Sequence, residues 1–149
     1  MTPFPYHRYP IGEHHLKERT KLYLYASMTW VVLVFIAILN AGVREGFFSP
    51  TFGDHIGHVV SSIMLSILIF IVAYIFLRTI DIEYTALDPW LIGAMWLTLT
   101  VTFEFLFGHY VMGHPWSRLL ADYNIMEGRI WVLVLISTFI SAPLADRLN

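Results

Sequence analysis

Four long, almost uninterrupted apolar runs constrain this chain more than any other feature. They extend from about Leu22 to Val43, His55 to Leu77, Pro89 to Val111 and Arg129 to Leu144. A helix needs roughly 20 apolar residues to cross a hydrocarbon layer. Three of the runs reach that length and the fourth comes close. The runs are continuous, which excludes the alternating segments of about ten residues that build a spanning barrel. The sequence therefore predicts an all-α fold, a four-transmembrane-helix bundle that makes residues 1–149 one integral-membrane domain.

Composition points the same way. Hydrophobic residues make up 57% and charged residues 13%, against roughly 45–50% and about 25% in soluble domains. A soluble domain this small leaves too much surface exposed to hide that apolar content. Nine basic and eleven acidic residues give a net charge of −2, so there is no basic footprint for nucleic acid. Cysteine is absent, which removes thiolate catalysis, Cys-ligated zinc, iron–sulfur clusters and disulfides. Metal chemistry would have to rest on the histidines and carboxylates. No phosphate loop, zinc-protease motif or nucleophile–base pair is recognisable, so an enzyme is the least favoured class.

The connections have their own signals. Residues 1–20 carry Pro3, Pro5 and Pro10 beside Phe4, Tyr6 and Tyr9 and are expected to form an irregular, interfacial leader. The first run is too long for the apolar core of a signal peptide and no small-residue cleavage site follows it, so it reads as a retained helix. Between the second and third runs, Asp88 is expected to cap a helix that has Pro89 at its first position. Between the third and fourth, Pro115 precedes Trp116, Leu119, Leu120 and Tyr123. That stripe predicts a short interfacial helix. Arg8, Lys17, Arg19, Lys21, Arg78 and Arg147 fall on one side of the expected bundle, and Arg44, Arg118 and Arg129 on the other. The positive-inside rule then places both termini in the cytoplasm, with the chain in the cytoplasmic (inner) membrane.

Ionisable residues within spans are functional suspects by default. Here Arg44, His55, His58, Glu104, His109, His114, Asp122 and Arg129 all fall at or near the expected outer face. Glu104 lies about five residues inside its span, on a face shared with Gly93, Leu97, Thr100 and Gly108. Matching stripes are His55, His58, Ser62 and Ser66 in helix 2, Thr29, Asn40 and Arg44 in helix 1, and Arg129, Ser137 and Ser141 in helix 4. The four stripes are expected to meet. Three readings compete. Glu104 pairs with Arg129 or Arg44, and next with His58, as a structural lock. Alternatively His55 and His58, spaced for one helical face, hold a metal ion with help from Glu104 or His109. In the third reading His58 and His109 are axial ligands of a haem. Glu104 and His109 differ by about 140° around a helix, so they converge only if the helix unwinds near Gly108. A quinone pocket is a further alternative, for which the 16% aromatic content alone is not evidence.

The stretch from Phe103 to Trp131 contains an E-F-L-F-G-H-Y run, an A-D-Y-N run and then G-R-x-W. With the earlier SSIMLSILIFIVAYIF stretch, it resembles a recurrent pattern in small, uncharacterised prokaryotic integral-membrane proteins. The resemblance implies four helices and a bacterial or archaeal membrane, and carries no activity with it. The functional expectation is a multipass membrane protein whose polar cluster binds a proton, a metal ion or a small ligand. The alternatives are a non-catalytic accessory subunit and a haem- or quinone-binding subunit. The expected partners are the lipid bilayer and a membrane protein or a second copy of the chain.

Overall fold

The computed structural model describes residues 13–121 and 131–149, and no strand occurs among them. Each of the four apolar runs is helical where it is described. Helix α1 covers Glu13–Val43 and continues through a π-helical segment, Arg44–Phe48, into the short α2, Ser49–Phe52. Helix α3 covers Asp54–Thr79. Helix α4 covers Asp88–Leu106 and continues into a second π-helical segment, Phe107–Val111. A short α5, Trp116–Ala121, precedes α6, Trp131–Leu148. Four helical stretches, Leu16–Phe52, Asp54–Thr79, Asp88–Val111 and Trp131–Leu148, are long and apolar enough to cross a membrane.

Helix α1 begins earlier than the sequence suggested. Residues from Glu13 onward were expected in an irregular leader, but they lack Pro and Gly and include Glu, Leu, Lys and Arg, all good helix formers. Helical winding also runs past Val43. It stops at Gly53, whose φ of 91° lies where a side chain is strained but glycine is not. The Leu16–Phe52 stretch of 37 residues measures roughly 55 Å, well beyond a hydrocarbon core of about 30 Å. Helix α5 matches the expected interfacial helix over Trp116–Ala121, while Asp122, Tyr123 and the rest of that stripe lie outside the described residues.

The long helices form a ring in the order α1, α3, α6, α4. Helix α6 packs against both α3 and α4, which stand diagonally opposite and meet through the rings of Phe76 and Trp96, 6.1 Å apart. Partners bridging α1 and α4 keep a nearly constant separation of 65 to 70 residues, so these two helices run parallel. The connection lengths then make α3 and α6 antiparallel to them.

The packing is inside-out relative to a soluble bundle. Large apolar side chains point outward: Phe35 is 64% exposed, Leu39 70% and Ile67 55%. The interior mixes large side chains such as Trp96, Leu65 and Ile92 with small and polar ones, among them Ala26, Ala73, Ala142, Ala145, Ser61, Ser62, Thr138 and Ser141. Small residues let helices approach closely where no water is present to drive large side chains together. Most of these buried small residues belong to α3 and α6, the most extensively packed pair.

One crossing is especially close. A Cβ added at Gly93 in α4 would sit 2.0 Å from the carbonyl oxygen of Phe139 in α6. Four residues beyond Phe139 comes Pro143, inside α6 and buried. Proline has no N–H to give to that carbonyl. The bare carbonyl therefore faces the bare α-carbon of Gly93, where a weak C–H···O contact is possible. The Trp90 and Phe139 rings, 5.8 Å apart, flank the same crossing. Gly93→Ala is expected to lower stability by about 1–3 kcal/mol, the usual cost of overpacking. Gly42→Ala, where nothing lies within 4 Å of the new Cβ, should leave stability unchanged or slightly higher. Thermal unfolding of both variants in the same detergent checks this.

Candidate functional site

Polar groups gather at both ends of the bundle. At the end where α4 starts, Asp88 is 1% exposed and receives four hydrogen bonds. Arg19 donates to Oδ1 at 2.9 Å and the Tyr23 hydroxyl donates to the same oxygen at 2.7 Å. The Thr85 backbone N–H and hydroxyl donate to Oδ2 at 2.8 and 3.2 Å. Asp88 was expected to be an N-cap. It is instead the first residue of α4, and its side chain reaches back to Thr85. The spacing Thr85-x-x-Asp88 is that of a capping box, in which the acid satisfies an N–H at the helix start. The remaining lone pairs on Oδ1 bind α1. Nearby, the Tyr84 hydroxyl donates to Asp146 Oδ1 at 2.8 Å, joining the α3–α4 connection to α6.

Further along α1, two tryptophans extend this zipper. Trp96 Nε1 donates to the Ala26 carbonyl at 2.8 Å, and Trp30 Nε1 donates to Thr100 Oγ1 at 3.0 Å. Asn40 Nδ2 donates to the Ser61 carbonyl at 3.1 Å and ties α1 to α3. Among the described residues the Ser27 hydroxyl adds a longer cross-helix contact, to Met95 Sδ at 3.8 Å. The expected meeting of four polar stripes is realised only in part. Thr29, Ser66 and Ser137 turn their hydroxyls back to carbonyls four residues earlier in their own helices. A hydroxyl that satisfies itself locally needs no partner across the bundle.

The opposite, far end holds the residues the sequence singled out. The π-helical segment Phe107–Val111 supplies the local unwinding anticipated near Gly108. It directs His109 toward the loop: Nδ1 lies 2.9 Å from the His114 carbonyl, and the ring stacks on Trp116 with centroids 3.9 Å apart. Arg118 Nη1 is 3.1 Å from His114 Nδ1. Leu119 of α5 lies over Gly108, so α5 is fastened to the end of α4. His109, His114, Trp116 and Arg118 thus form one unit, with Trp116 still 44% exposed.

Arg44 was a proposed partner of Glu104, and it is not one. Its Nη2 lies 3.9 Å from its neighbour Glu45. The register explains this. The Trp30–Thr100 bond puts Glu104 level with Val34, so Arg44 is ten residues, roughly 15 Å of helix, further along α1. Glu104 itself is half-buried with its Oε1 atom enclosed, and His58 likewise has its Nε2 atom enclosed. Neither residue is a free group. The expected Glu104–Arg129 pair and Asp122 lie outside the described residues. His55 is exposed at the start of α3. Among the described residues, no three His, Asp or Glu side chains come together as a metal site.

Asp88 and its donors are the grouping that sequence reasoning missed. The available signal was Thr85-x-x-Asp88 ahead of an apolar run, together with Arg19 and Tyr23 four residues apart on one face of α1. Asp88→Ala is expected to lower stability by about 2–3 kcal/mol, because it strips several donors of a charged acceptor. Arg19→Gln should cost less, since Arg19 is about one-third exposed and solvent screens it. Thermal unfolding of both variants tests that order.

No family model, curated protein or solved structure matches the chain.

Proposed function

We propose that this chain is a multipass protein of the cytoplasmic membrane, with both termini cytoplasmic, and that it binds a proton or a small polar ligand at Glu104. The membrane reading is supported by four apolar helices with large side chains turned outward. Exposed apolar surface on that scale is a liability in water. The resemblance of the Phe103–Trp131 stretch to small prokaryotic membrane proteins agrees with it. The orientation is supported by the split of basic residues, six against three, between the two ends.

One observation carries the functional reading. Glu104 brings a carboxyl oxygen into the interior about seven residues short of the end of the Asp88–Val111 helical stretch. Carboxylates at such depth are costly and tend to mark proton or ligand sites. The Asp88 cluster does not invite the same reading. Its carboxylate is saturated by donors from its own chain and acts as a fastener.

The test compares purified wild type with Glu104→Gln. Infrared difference spectra across the physiological pH range should show a protonating carboxyl group in the wild type. That signal should be missing from a folded variant. Identical spectra would overturn the Glu104 assignment, and a variant that loses stability with identical spectra would make Glu104 a lock. Orientation is tested separately: a reporter fused after Asn149 should behave as cytoplasmic.

A second reading, an accessory subunit, is favoured by α1. Only Leu22, Ala26, Leu33 and Asn40 are buried along its described length, although it is the longest helix. Most of its circumference is open to a neighbouring helix as well as to lipid. Recovery of a stoichiometric membrane-protein complex under mild extraction would support that reading, and recovery of the chain alone would oppose it.

A further inference from the structure

An open groove of about 590 Å³ lies between the first half of α1 and the end of α3. It exists because α3 stops at Thr79 and the chain turns away, while α1 continues past it to Glu13. Nothing among the described residues packs on that face of α1. The lining changes character along its length. Glu18, Lys21 and Asp81 surround the mouth, and Met28, Val32 and Phe76 form the floor. From Glu18 to Val32 the α1 wall is one helical face, 14 residues or roughly 21 Å long. That is the scale of a lipid headgroup followed by much of an acyl chain.

The charges are ordered as well as placed. Lys21 stands one turn nearer the apolar floor than Glu18, and the two form an exposed ion pair at 3.2 Å. Asp81, just past the end of α3, adds a second carboxylate to the lining. We propose that this groove binds one phospholipid of the phosphatidylethanolamine class. Its acyl chain lies along Met28, Val32 and Phe76, its phosphodiester meets Lys21, and its primary ammonium meets Glu18 and Asp81. In such a lipid the anionic phosphodiester is nearer the hydrocarbon and the ammonium is further out. Along α1 the groove presents its cation one turn nearer the apolar floor than the Glu18 carboxylate, which is the matching order. The mouth has one cation against two anions, which disfavours a headgroup carrying only negative charge. A quaternary ammonium has no N–H to donate to the carboxylates, which disfavours the choline analogue. The proposal rests on the chain being membrane-spanning, but not on which side α1 starts from and not on Glu104.

Native mass spectrometry of the full chain in detergent tests the site, using phosphatidylethanolamine, phosphatidylcholine and phosphatidylglycerol with identical acyl chains. The wild type should retain one phosphatidylethanolamine in preference to the other two. Lys21→Ala should weaken that retention about two- to fivefold, the range for an exposed charge pair. Glu18→Gln with Asp81→Asn should remove the headgroup preference. Met28→Trp fills the floor at a position 58% exposed, where folding should tolerate it, and should abolish retention of all three lipids. Equal retention of the three lipids by the wild type, or unchanged retention in Met28→Trp, would overturn the proposal. Recovery of the chain from the aqueous fraction without detergent would instead remove the membrane reading beneath it.

Discussion

The contact between Gly93 and the Phe139 carbonyl sets how closely α4 approaches α6. Helix α6 is wedged between α3 and α4, and its distance from α4 is fixed by two backbones with no side chain between them. A proline at position 143 leaves that carbonyl without its helical donor, and a glycine across the interface leaves room to approach it. With α4 held this close to α6, Trp96 is enclosed at the centre, where its ring meets Phe76 and its N–H reaches Ala26 of α1. The α3–α6 seam obeys the same rule by other means, through serine, threonine and alanine. Interior space is consequently scarce. Two open grooves lie at the margins of α1, whose described residues are less enclosed than those of α6.

The two ends of the bundle use polar groups differently. At the start of α4, four hydrogen bonds converge on the Asp88 carboxylate, and donors from α1 and from the preceding turn saturate it. Such a group orders the relative depth of α1 and α4, and its charge is fully compensated. At the far end, π-helical segments interrupt both α1 and α4, and looser winding of this kind recurs at functional positions in helices. There His109 is drawn out of the helix face onto Trp116 and the His114 carbonyl. Glu104 is left deeper, closer to the middle of α4 than the other singled-out residues.

The outward surface of α1 follows from its length and from the ring order. With α3 and α4 on either side and α6 across the bundle, α1 makes no extensive contact with α6. It also overshoots the end of α3. Its first turns therefore carry charges beside an apolar wall, which is the chemistry of a membrane–water boundary. The aromatic rings on the other margin of α1, Trp30, Phe103 and Phe107, line an almost wholly apolar groove and lack that transition.

The number of long helices and their approximate places in the chain were legible in the sequence, because apolar length is a local property. The short helix from Trp116 was legible for the same reason, since Pro115 and an amphipathic stripe act within one or two turns. Of the stripe of Gly93, Leu97, Thr100 and Glu104, Gly93 is buried and the other three are half-buried, while Ile92 and Trp96 hold the centre of the inward face of α4. What the sequence by itself could not determine is which residues meet at equal depth. Depth depends on the register between helices and on which helix is inserted between which. The register separates Arg44 from Glu104 by roughly 15 Å of helix, although both belong to polar stripes. It brings Arg19 and Tyr23 to Asp88 across 69 and 65 residues of chain, where the sequence offered only a helix cap. The tertiary structure decided these pairings because the depth of α1 against α4 is a property of residues 65 to 70 positions apart in the chain, held by the Tyr23–Asp88, Trp96–Ala26 and Trp30–Thr100 hydrogen bonds.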